Sequence, residues 1–179
     1  AKSGDFFRHK YLNLKIKFNE FFNINLVEKL ISLLVLLILV FLAYLFSDLE
    51  ISKIIKENRI YINLFFVLTC CLSLILIKLL TRNNKDLSLK IKQLFLFDIF
   101  IWSLQFIQIF LIIMLLNIEI TIFETIFIFG IAIIAGLIPI SIGGFGVRDY
   151  VIFLLFSNLQ IDGNLFMILL LFNLRYILP

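Results

Sequence analysis

The stretch PISIGGFGVRD (139–149) combines glycines and charged residues inside an otherwise apolar part of the chain. A lipid-facing helix would exclude most of these residues, because charges and unpaired backbone groups are costly in hydrocarbon. The three glycines permit positive φ and close backbone approach, so successive N–H groups can form an anion-binding nest. Arg148 adds a guanidinium fork that matches a phosphate, and Asp149 can hold that fork or meet a cationic headgroup. The stretch therefore predicts an anion-binding turn.

The same residues also have a structural interpretation. Glycines let helices pack closely, and an arginine near a helix end can extend its guanidinium to the membrane interface. Taken together, the glycines and Arg148 favour binding. A similar motif near the start of the chain, KSGDFFRHKYL (2–12), also contains serine, glycine, aromatic residues and an arginine. For its Asp5 and Arg8, an ion pair beside the membrane explains the residues as well as a ligand site does.

A polar stripe interrupts a long apolar run in the middle of the chain. Its first three residues are spaced to share one helical face, which a lipid-facing helix would not carry. An interhelical hydrogen-bond seam explains the stripe better than the lining of a substrate path. The aspartate of the stripe, Asp98, is the exception, because an ionisable side chain within the membrane is by default a candidate functional group. The stripe consists of Asp98, Trp102 and Gln105, with Gln108 on its flank.

The composition is that of an integral membrane protein. Hydrophobic residues make up 63% of the 179 residues, and the mean hydropathy of +1.13 far exceeds that of a soluble domain. The net charge of +4 does not indicate nucleic-acid binding, because the basic residues flank apolar segments and anchor them at anionic headgroups. Cys70 and Cys71 lack the spacing of a zinc site or a disulfide framework. We recognise no hydrolase triad, metal cluster or ATP-binding loop, and expect no catalytic residue, metal or cofactor.

Three apolar runs are long enough to cross the roughly 30 Å hydrocarbon core as helices, at about 1.5 Å per residue. They are Leu26 to Phe46 (segment A), Ile60 to Leu80 (segment B) and Leu94 to Leu116 (segment C). A fourth run, Ile122 to Ile138 (segment D), contains Glu124, is too short in its uncharged part and is followed by Pro139. Short apolar segments interrupted by glycine and proline predict broken helices around a transport site.

We therefore expect one all-α domain over residues 1–179, a polytopic transmembrane helix bundle with broken or re-entrant helices, taken from a longer membrane protein. Its expected parts are a cytoplasmic or re-entrant motif segment (1–25), three full transmembrane helices (26–116), a broken or re-entrant helical hairpin (122–161) and a last, truncated transmembrane helix (164–179).

The distribution of basic residues predicts the orientation of this bundle. Lysines and arginines place the segment before residue 26 and the loop around residues 81–93 in the cytoplasm. The stretch SNLQIDGN (157–164) has neither lysine nor arginine, which favours a hairpin that enters the membrane from outside and returns outward. Three crossings would then separate the two glycine motifs and invert the second copy, as in an inverted-topology repeat.

The order of these motifs resembles the membrane region of the lysylphosphatidylglycerol synthase/flippase family. The resemblance rests on a Gly-acid pair followed by arginine, on VEKL (27–30) at the head of segment A and, most specifically, on PISIGGFGVRD. The family commonly has Glu where this chain has Asp149, and Glu-Arg where it has Glu28 and Lys29. Both differences keep the charge, although lysine cannot reproduce a bidentate fork. The resemblance implies further helices upstream, and it does not extend to a soluble aminoacyl-transferase domain, so we do not expect synthase activity of this chain.

These observations lead to one principal hypothesis: the chain binds an anionic phospholipid or lipid-linked intermediate and translocates it between the leaflets of the plasma membrane. The alternative is a membrane scaffold or regulatory subunit for an envelope glycosyltransferase or lipid synthase, and a third hypothesis is a lipid-modifying enzyme. The expected partners are membrane lipids, a headgroup phosphate, and a second copy of the chain or a partner membrane enzyme. The candidate substrate-binding residues are Ser141, Gly143, Gly144, Gly146, Arg148, Asp149, Asp5, Arg8, Glu28 and Asp98.

Overall fold

The described part of the chain is helical throughout its regular structure. The computed structural model describes residues 18–47, 59–81, 85–137, 146–158 and 165–177, and these residues contain no strand. The predicted all-α class is confirmed. The helices are α1 (Phe18–Phe46), α2 (Arg59–Thr81), α3 (Lys85–Leu115), α4 (Ile122–Gly136), α5 (Val147–Asn158) and α6 (Leu165–Ile177).

The first three helices are long and apolar enough to cross a membrane. Their candidate spans are Phe22–Phe46, Asn63–Thr81 and Ile91–Leu115, which overlap segments A, B and C. Within the apolar stretch of each helix, 39% is buried in α1 but only 22% in α2 and 17% in α3. The exposed residues of α2 and α3 are mostly large and apolar, as is typical of helices that contact lipid or other membrane helices.

The centre of the bundle is formed by α1 and α4. α1 packs against α2, α3 and α4, while α4 also packs against α3 and α5. The two central helices approach closely at Gly130 of α4, where an added Cβ would overlap the side chain of Val40 on α1. A glycine at this position therefore sets the separation of the two helices. The buried residues of α4 are Thr125, Phe127, Ile128, Phe129, Gly130, Ala132 and Ile133.

A compact turn connects α3 to α4. Asn117 has a left-handed backbone conformation with φ 55°. The N–H of Ile118 donates to the carbonyl of Ile113 at 3.3 Å, and the N–H of Asn117 donates to that of Met114 at 3.0 Å. This pair of hydrogen bonds is a Schellman motif, in which asparagine takes the position that glycine usually occupies. Ile118 and Ile113 are both buried, which supplies the apolar contact that accompanies the motif.

Helix α4 begins with a capping box that explains the charge in segment D. The Glu124 carboxylate accepts a hydrogen bond from the Thr121 N–H at 2.7 Å, and the Thr121 hydroxyl accepts one from the Glu124 N–H at 3.3 Å. Glu124 thus stabilises a helix end instead of occupying an apolar helix interior. The helix has 15 residues and spans about 22 Å, less than the roughly 30 Å hydrocarbon core. A helix of this length agrees with the prediction that segment D is short.

Candidate functional site

The first turn of α5 places three of the predicted site residues together. Gly146 precedes the helix with φ +90°, a conformation that residues with a side chain rarely adopt. Its N–H donates to the carboxylate of Asp149 at 3.3 Å, and its carbonyl accepts the hydrogen bond from the N–H of Tyr150 at 2.8 Å. Asp149 therefore fixes the turn by which the glycine-rich stretch enters the helix, and Arg148 lies within that turn.

Arg148 is directed into the bundle and is only 4% exposed. Its Nη2 donates a hydrogen bond to Oδ1 of Asn173 on α6. Its Nε lies 4.0 Å from Oδ1 of Asp149, at the outer limit of an ion pair. The guanidinium also lies over the ring of Phe172, 4.7 Å from the ring centroid. The charge is thus contained in the protein between α5 and α6.

Asn173 completes a network of three side chains. Its Nδ2 donates to Oδ1 of Asp149 at 3.2 Å, while its Oδ1 accepts from Arg148. One amide therefore connects the cation and the anion of α5. Asn173 is not among the predicted site residues, although a lone amide within an apolar run is a signal for a polar contact inside a membrane bundle.

Aromatic rings connect this network to the core. The ring of Phe172 lies 5.0 Å from that of Phe129 on α4, and Phe129 lies 6.2 Å from Phe156 on α5 in an edge-to-face arrangement. All three rings are buried. The guanidinium consequently rests on a rigid aromatic face, where a cation–π contact is stronger than it would be in water.

A second polar cluster lies between α1 and α3. Glu28 and Asp98, both predicted as site residues, line a groove of about 350 Å³ together with Lys29 and Ser32. Asp98 is half-buried and faces this groove. Asp98 therefore shares this groove with a lysine and a serine, and also with the apolar side chains of Leu94 and Phe97.

The polar stripe on α3 contributes one hydrogen bond between helices. Nε1 of Trp102 donates to the hydroxyl of Ser32 on α1 at 3.0 Å. Gln105 is half-buried and Gln108 is exposed. The interhelical seam that the stripe predicted is therefore present at Trp102, next to the groove that Asp98 lines.

The structure brings the predicted site residues together in two groups. Gly146, Arg148 and Asp149 share the start of α5, and Glu28 and Asp98 share the groove between α1 and α3. The remaining candidates lie outside the described residues, as do the whole first glycine motif and most of the second, so the inverted repeat stays a prediction. These remaining candidates are Asp5, Arg8, Ser141, Gly143 and Gly144.

A multi-pass helical membrane protein with a charged network inside its bundle is the class that this fold and this site define. The family model described as the lysylphosphatidylglycerol synthase TM region matches residues 1–177, and the chain belongs to that family. The resemblance of the sequence motifs is thereby confirmed. No curated protein and no solved structure matches the chain.

Proposed function

We propose that this protein binds an anionic phospholipid or lipid-linked intermediate through its phosphate and translocates it between the leaflets of the plasma membrane. The observation that carries the proposal is the burial of Arg148 at the end of the glycine-rich stretch. Burying a guanidinium inside a membrane bundle is costly, and a charged residue retained there is by default a candidate functional group. Membership of the family supports the same function.

The surroundings of Arg148 suit a phosphate ligand. The start of α5 carries the positive end of the helix dipole, which favours an anion beside the same turn. The 4.0 Å separation between Nε and Asp149 is long for an ion pair. A lipid phosphate can therefore replace the carboxylate as the partner of the guanidinium without breaking a tight contact. Asp149 would keep its hydrogen bonds from Gly146 and Asn173.

Substitution of Arg148 tests the proposal. Arg148→Ala removes the phosphate partner, and we expect translocation to fall by at least about tenfold, as the loss of charge-assisted hydrogen bonds implies. Arg148→Lys keeps the charge but loses the planar fork and should also reduce translocation. The measurement is a fluorescent-lipid translocation assay with the full-length protein in liposomes, with expression and thermal stability followed in parallel.

A matched control separates the role of this arginine from that of positive charge in general. Lys92 is exposed on α3, and Lys92→Ala should leave translocation unchanged. Normal translocation by a well-folded Arg148→Ala variant would contradict the proposal and favour the scaffold hypothesis. Arg148 would then only join α5 to α6.

We also propose an orientation in the plasma membrane, with the segment before residue 26 and the loop around residues 81–93 in the cytoplasm. Basic residues beside the apolar spans support it, because lysine and arginine are retained on the cytoplasmic side.

A further inference from the structure

We infer that Asn173 is a positioning residue that sets the orientation of the Arg148 guanidinium for the lipid phosphate. The inference rests on the proposed function, since it assigns a role within the same site. Its basis is the pair of hydrogen bonds in which Asn173 accepts from Arg148 through Oδ1 and donates to Asp149 through Nδ2.

The chemistry of the amide explains why asparagine suits this position. A guanidinium only donates hydrogen bonds and a carboxylate only accepts them, so a group between them must do both. A leucine would remove both hydrogen bonds. An aspartate would still accept from Arg148, but it would lose the donor and place a second negative charge beside Asp149. An amide satisfies both neighbours without adding charge.

The geometry restrains the guanidinium in two directions. Asn173 holds one edge of the group, while the ring of Phe172 lies against its face. Both restraints come from consecutive residues of α6, so the position of this helix determines the plane of the guanidinium on α5. A fork that is fixed in advance binds a phosphate more tightly than a mobile one, because less conformational freedom is lost on binding.

The test exchanges the amide and the carboxylate. Asn173→Leu, Asn173→Asp, Asp149→Asn and the double variant Asp149→Asn with Asn173→Asp are made in the full-length protein. Binding of phosphatidylglycerol is measured in phosphatidylcholine nanodiscs, together with thermal stability. Asn173→Leu loses the hydrogen bonds to both Arg148 and Asp149, and Asn173→Asp loses the one to Asp149. We expect each variant to weaken binding by at least about tenfold, as the loss of a hydrogen bond to a charged group implies.

The double variant should restore binding close to that of the unchanged protein. The carboxylate at position 173 would accept from Arg148, and the amide at position 149 would donate to that carboxylate and still accept from the N–H of Gly146. Asn63 supplies a matched control, since it is an amide on α2 whose Oδ1 is buried with no hydrogen-bond partner. Asn63→Leu should leave phosphatidylglycerol binding unchanged.

The outcomes distinguish the two proposals. Loss of binding in Arg148→Ala with normal binding in a stable Asn173→Leu overturns the role of Asn173 and leaves the proposed function intact. Normal binding in Arg148→Ala overturns the proposed function itself. Where Asn173→Leu does not fold, the double variant decides: restored stability without restored binding shows a structural role only, and restoration of both supports positioning.

Discussion

At the scale of single residues, the cost of the Arg148 charge is met by three different contacts. Burying an arginine charge among apolar helices is costly. Asn173, Asp149 and the face of Phe172 offset that cost through a hydrogen bond, an ion pair and a cation–π contact. The network keeps the cation in the bundle at the position where the glycine-rich stretch ends.

Arg148 could be selected from the sequence, whereas for Asn173 the sequence indicates a polar contact but not its partner. The arginine stands beside glycines in an apolar region, and this local pattern already indicates a site. Asn173 lies 25 residues further along the chain, on a different helix. Its partner depends on how α5 and α6 pack, and the spacing of residues along the sequence does not predict that packing.

A prediction at this scale concerns the backbone of Gly146. An added Cβ would meet no atom within 4 Å, so a substitution there is opposed by the positive φ alone. Gly146→Val should lower the free energy of unfolding by about 1–2 kcal/mol, because a left-handed conformation is unfavourable for a residue with a Cβ. Gly146→Asn should cost less, since asparagine tolerates this conformation. Thermal unfolding in detergent micelles measures both, and equal losses would contradict the backbone explanation.

At the scale of helices, the ends of α3 and α4 determine how the short helix enters the bundle. The capping box of Thr121 and Glu124 is readable in the sequence as Thr-x-x-Glu, and it accounts for the acid in segment D. The Schellman motif at Asn117 was harder to predict, because asparagine in a loop adopts several conformations and only the hydrogen bonds identify this one.

The contact between α1 and α4 gives a prediction about these two helices. Gly130→Ala should lower the free energy of unfolding by about 1–3 kcal/mol, the range expected for overpacking, because the new Cβ would overlap Val40. Adding Val40→Ala makes room for that Cβ, so the double variant should lose less stability than the sum of the two single variants. Chemical denaturation in detergent measures the four proteins. Strictly additive losses would show that the helices can separate at this point without cost.

At the scale of the whole molecule, the apolar composition indicates a membrane protein, and the positions of lysine and arginine predict its orientation. Many large apolar residues of α2 and α3 are exposed, as expected for a membrane protein in which 63% of the residues are hydrophobic. The pairing of the helices in the bundle could not be read from the sequence, since apolar runs of similar composition carry little information about their neighbours.

The orientation is tested by the accessibility of two loop positions. The stretch around Asp162 has no lysine or arginine, and the loop around Asn84 is basic, so the two should face opposite sides of the membrane. In a cysteine-free background that includes Cys70→Ser and Cys71→Ser, Asp162→Cys should react with a membrane-impermeant thiol reagent added to intact cells. Asn84→Cys should react only after permeabilisation. Labelling of Asn84→Cys alone in intact cells would contradict both the orientation and the re-entrant hairpin, because a hairpin that returns outward requires the connection between α5 and α6 to be external.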